Sequence, residues 1–478
     1  MRRLLVFSLV LCSVAVGQQL APELKVFVHV DAPVIALTHV KVIDGTGEPG
    51  LLDQTVIISG GKIQAIGASV LIPQGAHILD LKGHTVIPGL VGMHDHLFYP
   101  LPSDRDPKGK RVPGSMALYG EMAYSFPRLY LANGVTTIRT TGSLETYTDL
   151  QVKKLIDSGK AIGPKMNVTG PYLEGAGAYT PQMYQLSGPD DARETVNYWA
   201  DRGVGSFKAY MNITHAELAA AVEAAHKRGI KVTGHLCSIG FREAAAIGID
   251  DLEHGLVVDT EFNPGKKPDV CENSKTEDTI AALDLNSGPG REMIRDLVQH
   301  KVAITSTLPV FEQFVPSQPN VPQRVLDVLA PEFRADYLAT RARRAQSNDF
   351  AAAYAKELEF ERAFVRAGGT LLAGLDPTGM GGTVAGFGDL REVELLVSAK
   401  LTPLEAIHIA TQNGADFLGV GDKVGTIAMG KQADLVVVKG DPDKDIANIE
   451  NIEIVFKDGV GYDSAKLIES VKGTVGLH

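Results

Sequence analysis

The sequence predicts an α/β fold: a (β/α)8 TIM barrel with a small β-sandwich-like domain formed by both chain ends. Three observations carry this. Short apolar strands alternate with helical stretches through the middle of the 478-residue chain. Both ends instead carry short β-like pieces separated by turn signals. No glycine-rich phosphate loop follows the first strand of the middle region, which disfavours a doubly wound open sheet.

The N-terminus reads Met1-Arg2-Arg3 followed by the apolar run Leu4 to Val16. Ala15 and Gly17 place small residues at −3 and −1 of a cut before Gln18, as in a secretory signal peptide over residues 1–17. The run is short of the ~20 residues that span a bilayer. Cys12 follows Leu11, too bulky for a lipoprotein signal. The expected location is therefore secreted or periplasmic. No later segment has 18 unbroken apolar residues, so no stable membrane insertion is expected. Cys237 and Cys271 remain, and an oxidising compartment permits one disulfide without the sequence deciding it.

Residues 34–85 are read as the first half of the β domain, with pieces Thr38–Ile43, Thr55–Ser59 and Ile63–Ile66 punctuated by Gly45-Thr46-Gly47 and Gly60-Gly61. Residues 416–478 supply the second half through Leu435-Val436-Val437-Val438 and Ile452–Lys457. Between them, residues 86–415 hold eight strand candidates: Thr85–His96, Thr136–Thr140, Lys165–Thr169, Ser206–Tyr210, Lys231–His235, Asp251–His254, Val302–Ser306 and Leu371–Asp376. Helices lie between them. His215–Arg228 opens on a Thr214/Glu217 capping box and stops at Gly229, and Thr402-Pro403-Leu404-Glu405 opens another.

Apolar residues are 44% and charged residues 22%, which excludes wholesale disorder, a collagen-like fibre and a coiled coil. Lys and Arg number 46 against 57 Asp and Glu, a net charge of −11. Nucleic-acid binding, which rests on basic phosphate contacts, is not expected.

The chemistry sits at the strand ends. His94 and His96 are two apart and share a face of an extended strand. Lys208, His235, His254 and Asp376 each fall at or near the C-terminal end of a later strand, where a barrel gathers its active site. Four imidazoles and a carboxylate in a dry cavity are costly unless a cation compensates them. Imidazole and carboxylate suit zinc, and also Mn, Fe, Co or Ni. Arg139, Tyr172, Tyr179 and Tyr210 are candidates for holding a substrate carboxylate. The Gly-rich stretch Gly170 to Tyr179 is a candidate lid or pocket wall.

The pieces "VIPGLVGMHDHL", "GVTTIRTTG", "FKAYM", "VTGHLC", "DLEHG", "LLAGLDP", "TPLEAIHIATQNGADFLG" and "VGTIAMGKQADLVVVKGDP" resemble the amidohydrolase superfamily, in particular its imidazolonepropionase-like and Xaa-Pro dipeptidase-like members. The resemblance runs from about Ala36 to Gly459. It implies two divalent metal ions, with zinc the expected metal. His94, His96 and Asp376 would hold one, His235 and His254 the other, and Lys208 would bridge them as a CO2-derived carbamate. It further implies that Asp376 moves the proton while activated water attacks a C–N bond. The expected activity is that of a dipeptidase or carboxypeptidase-like amidohydrolase, releasing Pro or a basic residue from a dipeptide or a C-terminus. Cyclic amidase, N-acyl amino acid deacylase or lactonase activity on the same site is the alternative, and an inactive barrel acting as a binding protein is a third reading. Oligomeric state is not legible, although the resemblance admits a homo-oligomer.

Overall fold

The computed structural model describes residues 20–102, 112–113, 115–316, 320–346, 348–379 and 381–477. The signal-peptide reading, with its cut at Gly17/Gln18, lies outside the described residues.

Eight parallel strands organise the middle of the chain. They are β1 (Leu90–Gly92), β2 (Val135–Arg139), β3 (Lys165–Asn167), β4 (Ser206–Ala209), β5 (Lys231–Gly234), β6 (Asp251–Glu253), β7 (Ala303–Ser306) and β8 (Leu371–Ala373). Hydrogen bonding groups them into a three-stranded sheet, β3-β2-β1, and a five-stranded sheet, β4 to β8 in sequence order. At one seam Thr169 bridges to Ser206 in parallel register. At the other, Met93 N donates to Ala373 O at 2.8 Å and Asp376 N to His94 O at 3.0 Å. The strand cores are apolar and fully buried, as Ile138, Phe207, Val232, Leu252 and Ile304 illustrate. Parallel strands covered on both sides require this.

The two chain ends meet in one nine-stranded sheet. Its order is Val28–Val30, Val460–Asp463, Ile452–Lys457, Leu435–Lys439, His84–Pro88, Val34–Val42, Leu51–Ser59 and Lys62–Gly67, with His77–Asp80 also pairing onto Val34–Val42. The run at 435–438 is continuous rather than alternating because both its faces are covered. Leu435 and Val437 join a cluster with Ile35, Val56 and Phe456. Val436 and Val438 instead join the main core.

The expected first strand, Thr85–His96, is two strands in different sheets. His84–Pro88 pairs antiparallel with Leu435–Lys439, and the chain then turns at Gly89 into β1. A side chain at Gly89 has no room, because its Cβ would lie 2.1 Å from Thr136 Oγ1. An unbroken apolar run conceals such a break. His94 and His96 consequently lie beyond the regular strand.

The helices follow their caps. His215–His226 begins on the Thr214/Glu217 capping box, and Gly229 beyond it has φ +68°. Pro403–His408 begins on the Thr402/Glu405 box. The final helix, Ser464–Glu469, returns to Ser125–Ala132, where Ser464 Oγ donates to Ala132 O at 2.7 Å. Cys237 and Cys271 form a disulfide that ties the end of β5 to the long segment after β6. Among the described residues, no helix is long and apolar enough to cross a membrane.

Replacing Gly89 by Ala is expected to lower stability by about 1–3 kcal/mol through overpacking against Thr136. The midpoint shift in urea unfolding measures it.

Candidate metal centre

The polar residues at the strand ends converge because parallel strands present all their C-terminal ends on one side. His94 lies two residues past β1, His235 directly after β5, His254 directly after β6 and Asp376 three past β8, while Lys208 is within β4. One ligand atom from each of His94, His96 and Asp376 falls within 4.8 Å of the others. Asp376 Oδ2 is 3.7 Å from His94 Nε2 and 3.9 Å from His254 Nε2, and Asp376 Oδ1 is 3.6 Å from His96 Nε2. Lys208 Nζ is 3.1 Å from His94 Nε2. His235 joins through its ring, whose centroid is 4.5 Å from that of His254.

Three of the imidazoles are oriented by what holds their far nitrogen. His94 Nδ1 donates to Glu253 Oε2 at 2.8 Å, and His96 Nδ1 donates to the Gly142 carbonyl at 3.2 Å. His254 Nδ1 is bonded to the Thr307 hydroxyl at 2.7 Å. In all three Nε2 turns towards Asp376, and in His94 and His96, whose Nδ1 meets an acceptor, it carries the lone pair, the arrangement in which metal-binding histidines are found.

Burial sets the protonation. Desolvation, with Lys208 next, holds His94 and His96 well below the usual imidazole range and brings His235 down to about 3. His254 is also well below that range through burial. These rings are therefore neutral near pH 7 and have lone pairs to offer. Burial brings Lys208 down to about 8 and raises Asp376 to about 6, with the lysine charge opposing the latter shift. Asp376 Oδ1 is buried with no hydrogen-bond partner. Neutral converging imidazoles beside an unsatisfied carboxylate oxygen fit a divalent cation, which would remove the cost of that orphaned acceptor.

Arg139 is not at the mouth. It is fully buried beneath the site, contrary to the expectation of a substrate contact. Its Nη2 donates to Asp251 Oδ2 at 2.9 Å and Glu253 Oε1 at 3.0 Å, and its Nε to Met93 O at 2.8 Å. Tyr172 and Tyr210 do border the centre, with rings 5.4 and 5.7 Å from Lys208 Nζ. Tyr179 stands further out, half-exposed, its hydroxyl 3.1 Å from that of Tyr119. The stretch from Gly170 is anchored as a wall, with Leu173 bridged to Ala209 and buried Glu174 accepting from Gly175 N and Asn212 N.

Glu253 and Thr307 escaped the sequence reading. A signal for Glu253 was present: Asp251-Leu252-Glu253 places two carboxylates on the inward face of an otherwise apolar strand. Thr307 carried none, since its role depends on where β7 ends relative to His254.

Residues 85–304 and 359–461 match the amidohydrolase family model. The chain belongs to the amidohydrolase family. As a member it is a hydrolase acting on carbon–nitrogen bonds. It is 24% identical over 415 residues to an enamidase from Eubacterium barkeri, covering 83% of this chain and 84% of that protein. It is 46% identical over 69 residues to an imidazolonepropionase from Vibrio cholerae, a match of 13% of this chain and 17% of that enzyme's length. A solved Xaa-Pro dipeptidase with methionine in its active site is 22% identical, with TM-score 0.66 over 90% of this chain and 100% of that one. At that identity the structural likeness speaks to the fold alone.

Replacing Glu253 by Gln removes the charge that orients His94. Affinity for a divalent metal is expected to fall about 10–100-fold, measured by competition with a chromogenic chelator.

Proposed function

We propose that this chain is an exported, metal-dependent hydrolase of amide or peptide bonds in small substrates of dipeptide size. The observation that carries this is the convergence of His94, His96, His254, Lys208 and Asp376 on one buried space, with imidazole lone pairs turned inward. His94, His96 and Asp376 would hold one ion, and His235 with His254 the second, and zinc is among the metals that suit imidazole and carboxylate donors. When bound, two such ions supply an activated water and polarise the substrate carbonyl.

The chain's own residues do the rest. Asp376, near neutrality and without a hydrogen bond on Oδ1, accepts the proton of the attacking water and returns it to the leaving nitrogen. Lys208 is brought towards its free-amine form, the form that can add to CO2. Its Nζ–C bond forms as one proton leaves, giving an anionic carbamate able to bridge two cations where an ammonium cannot. Tyr172 and Tyr210 pack over this position and keep water from it.

The same reading closes β1 to β8 into a (β/α)8 barrel, supported by the Thr169–Ser206 bridge and the Met93–Ala373 hydrogen bond at its two seams. It assigns residues 86–415 to catalysis and the two flanking segments, 34–85 and 416–478, to one β module. Export is supported by the Cys237–Cys271 disulfide, a bond that persists in oxidising compartments.

Two variants test the roles. Asp376→Asn is expected to retain metal, measured by elemental analysis, while kcat falls about 10²–10⁴-fold; normal turnover in the metal-loaded variant refutes the proton-shuttle role. Lys208→Ala should lose both metal and rate, with partial recovery in millimolar propionate. Two metals at full activity in that variant would exclude the carbamate bridge. A panel of dipeptides, N-acyl amino acids, hydantoins and lactones defines the substrate.

A further inference from the structure

A cleft of about 450 Å³ opens from His235 towards the segments after β6 and β7. Its lining is divided between exposed polar residues and an aromatic wall. Phe311, Phe314 and Phe350 are only half-buried, although phenylalanines are ordinarily driven into a core. The Phe311 and Phe350 rings stack at 5.8 Å, and Phe314 meets Phe350 at 5.9 Å. The Phe311 ring is also 5.6 Å from that of His254, so this aromatic wall begins at the metal centre itself. Val257 and Val258 continue the apolar lining.

Arg344 stands on the same cleft, exposed, with its guanidinium 5.1 Å from the Phe314 ring. No carboxylate among the described residues pairs with it. Its neighbour Arg341 is different: it is buried, and its Nη1 donates to the carbonyls of Gln313 and Val315. One arginine thus holds the segment together, while the other is laid on an aromatic face and spends no donor on any of the described residues. A guanidinium in that position offers a planar fork for a carboxylate.

We propose that this cleft is the subsite for a large apolar, preferably aromatic, side chain attached to a free carboxylate, with the three phenylalanines receiving the ring and Arg344 the carboxylate. Its place beside the scissile bond rests on the hydrolase reading above; its binding chemistry does not. Asp349 and Glu277 also line the cleft. Asp349 is engaged within the protein, and Glu277 is exposed in the first turn of the helix Thr276–Ala281. Both carboxylates oppose an anion, so only a ligand whose single carboxylate reaches the Arg344 guanidinium directly fits the cleft. A basic side chain read by these two acids is the competing occupant.

The test separates binding from catalysis. Calorimetric titration of the metal-loaded chain uses four non-hydrolysable probes: 3-phenylpropanoate, propanoate, 3-phenylpropanol and hexylammonium. The expected order has 3-phenylpropanoate at least 10-fold tighter than each of the others. Arg344→Gln, an exposed change, should erase the advantage of the acid over the alcohol and leave binding of the alcohol unaltered. Phe314→Ala should erase the advantage of the phenyl acid over propanoate. The subsite is refuted if the acid binds no tighter than the alcohol, if Arg344→Gln leaves their ratio unchanged because the carboxylate sits on metal, or if hexylammonium binds best and loses affinity in Glu277→Gln. Turnover of N-acetyl-L-phenylalanine and N-acetyl-L-alanine is followed in parallel. Arg344-dependent binding without turnover of any amide refutes the hydrolase reading and leaves the subsite standing. Amide turnover without acid-over-alcohol discrimination refutes the subsite alone.

Discussion

The site depends on keeping charged and polar groups ordered where water cannot reach them. Arg139, Asp251 and Glu253 are each fully buried, and together they link β2 and β6 across the interior. Burial and the neighbouring Glu253 push Asp251 above the usual carboxylate range, and the Arg139 guanidinium opposes that shift. Removing one partner from such a pair typically costs about 3–5 kcal/mol, because the other charge is left uncompensated. The network passes directly to the centre: Glu253 holds Arg139 with one oxygen and His94 with the other. The orientation of His94 is thus inherited from an ion pair below it.

Backbone strain appears in the same place. His254 at φ +71° and Asp376 at φ +50° both occupy the left-handed region, which costs of order 1–3 kcal/mol for residues with side chains. Each is pinned by its neighbours. His254 N donates to Thr305 O at 2.8 Å, and Asp376 N to His94 O at 3.0 Å. Beyond His254, Gly255 at φ +72° continues the turn, and its missing side chain makes room for Glu357, whose Oε1 would lie 1.9 Å from a Cβ there. Glu357 Oε2 in turn accepts from Val257 N at 2.8 Å. The strained turns lift both side chains off their strands and into the shared space.

Much of this was legible in the chain, and the parts that were not share a cause. Strand cores, capping boxes and the residues following each strand are local patterns, and local patterns survive without neighbours. The break at Gly89 was hidden because a strand leaving one buried sheet and entering another is apolar on both sides. The place of Arg139 is not legible locally, because a basic residue at the end of a strand looks the same whether it points up to a ligand or down onto carboxylates 112 and 114 residues away in sequence. The pairing of Cys237 with Cys271 likewise depends on a distance between segments that no local pattern encodes.

The sequence by itself determined the alternation of strands and helices, the families of residues at the strand ends, and the resemblance that membership in the amidohydrolase family now explains. Each is a property of short stretches whose periodicity and residue type have direct physical meaning. Only the tertiary structure decided which nitrogen of His94, His96 and His254 faces inward, where Arg139 spends its charge, and which aromatic rings remain half-open around Arg344. Those depend on distances between segments far apart in the chain, and burial energies act on such distances rather than on order along the backbone.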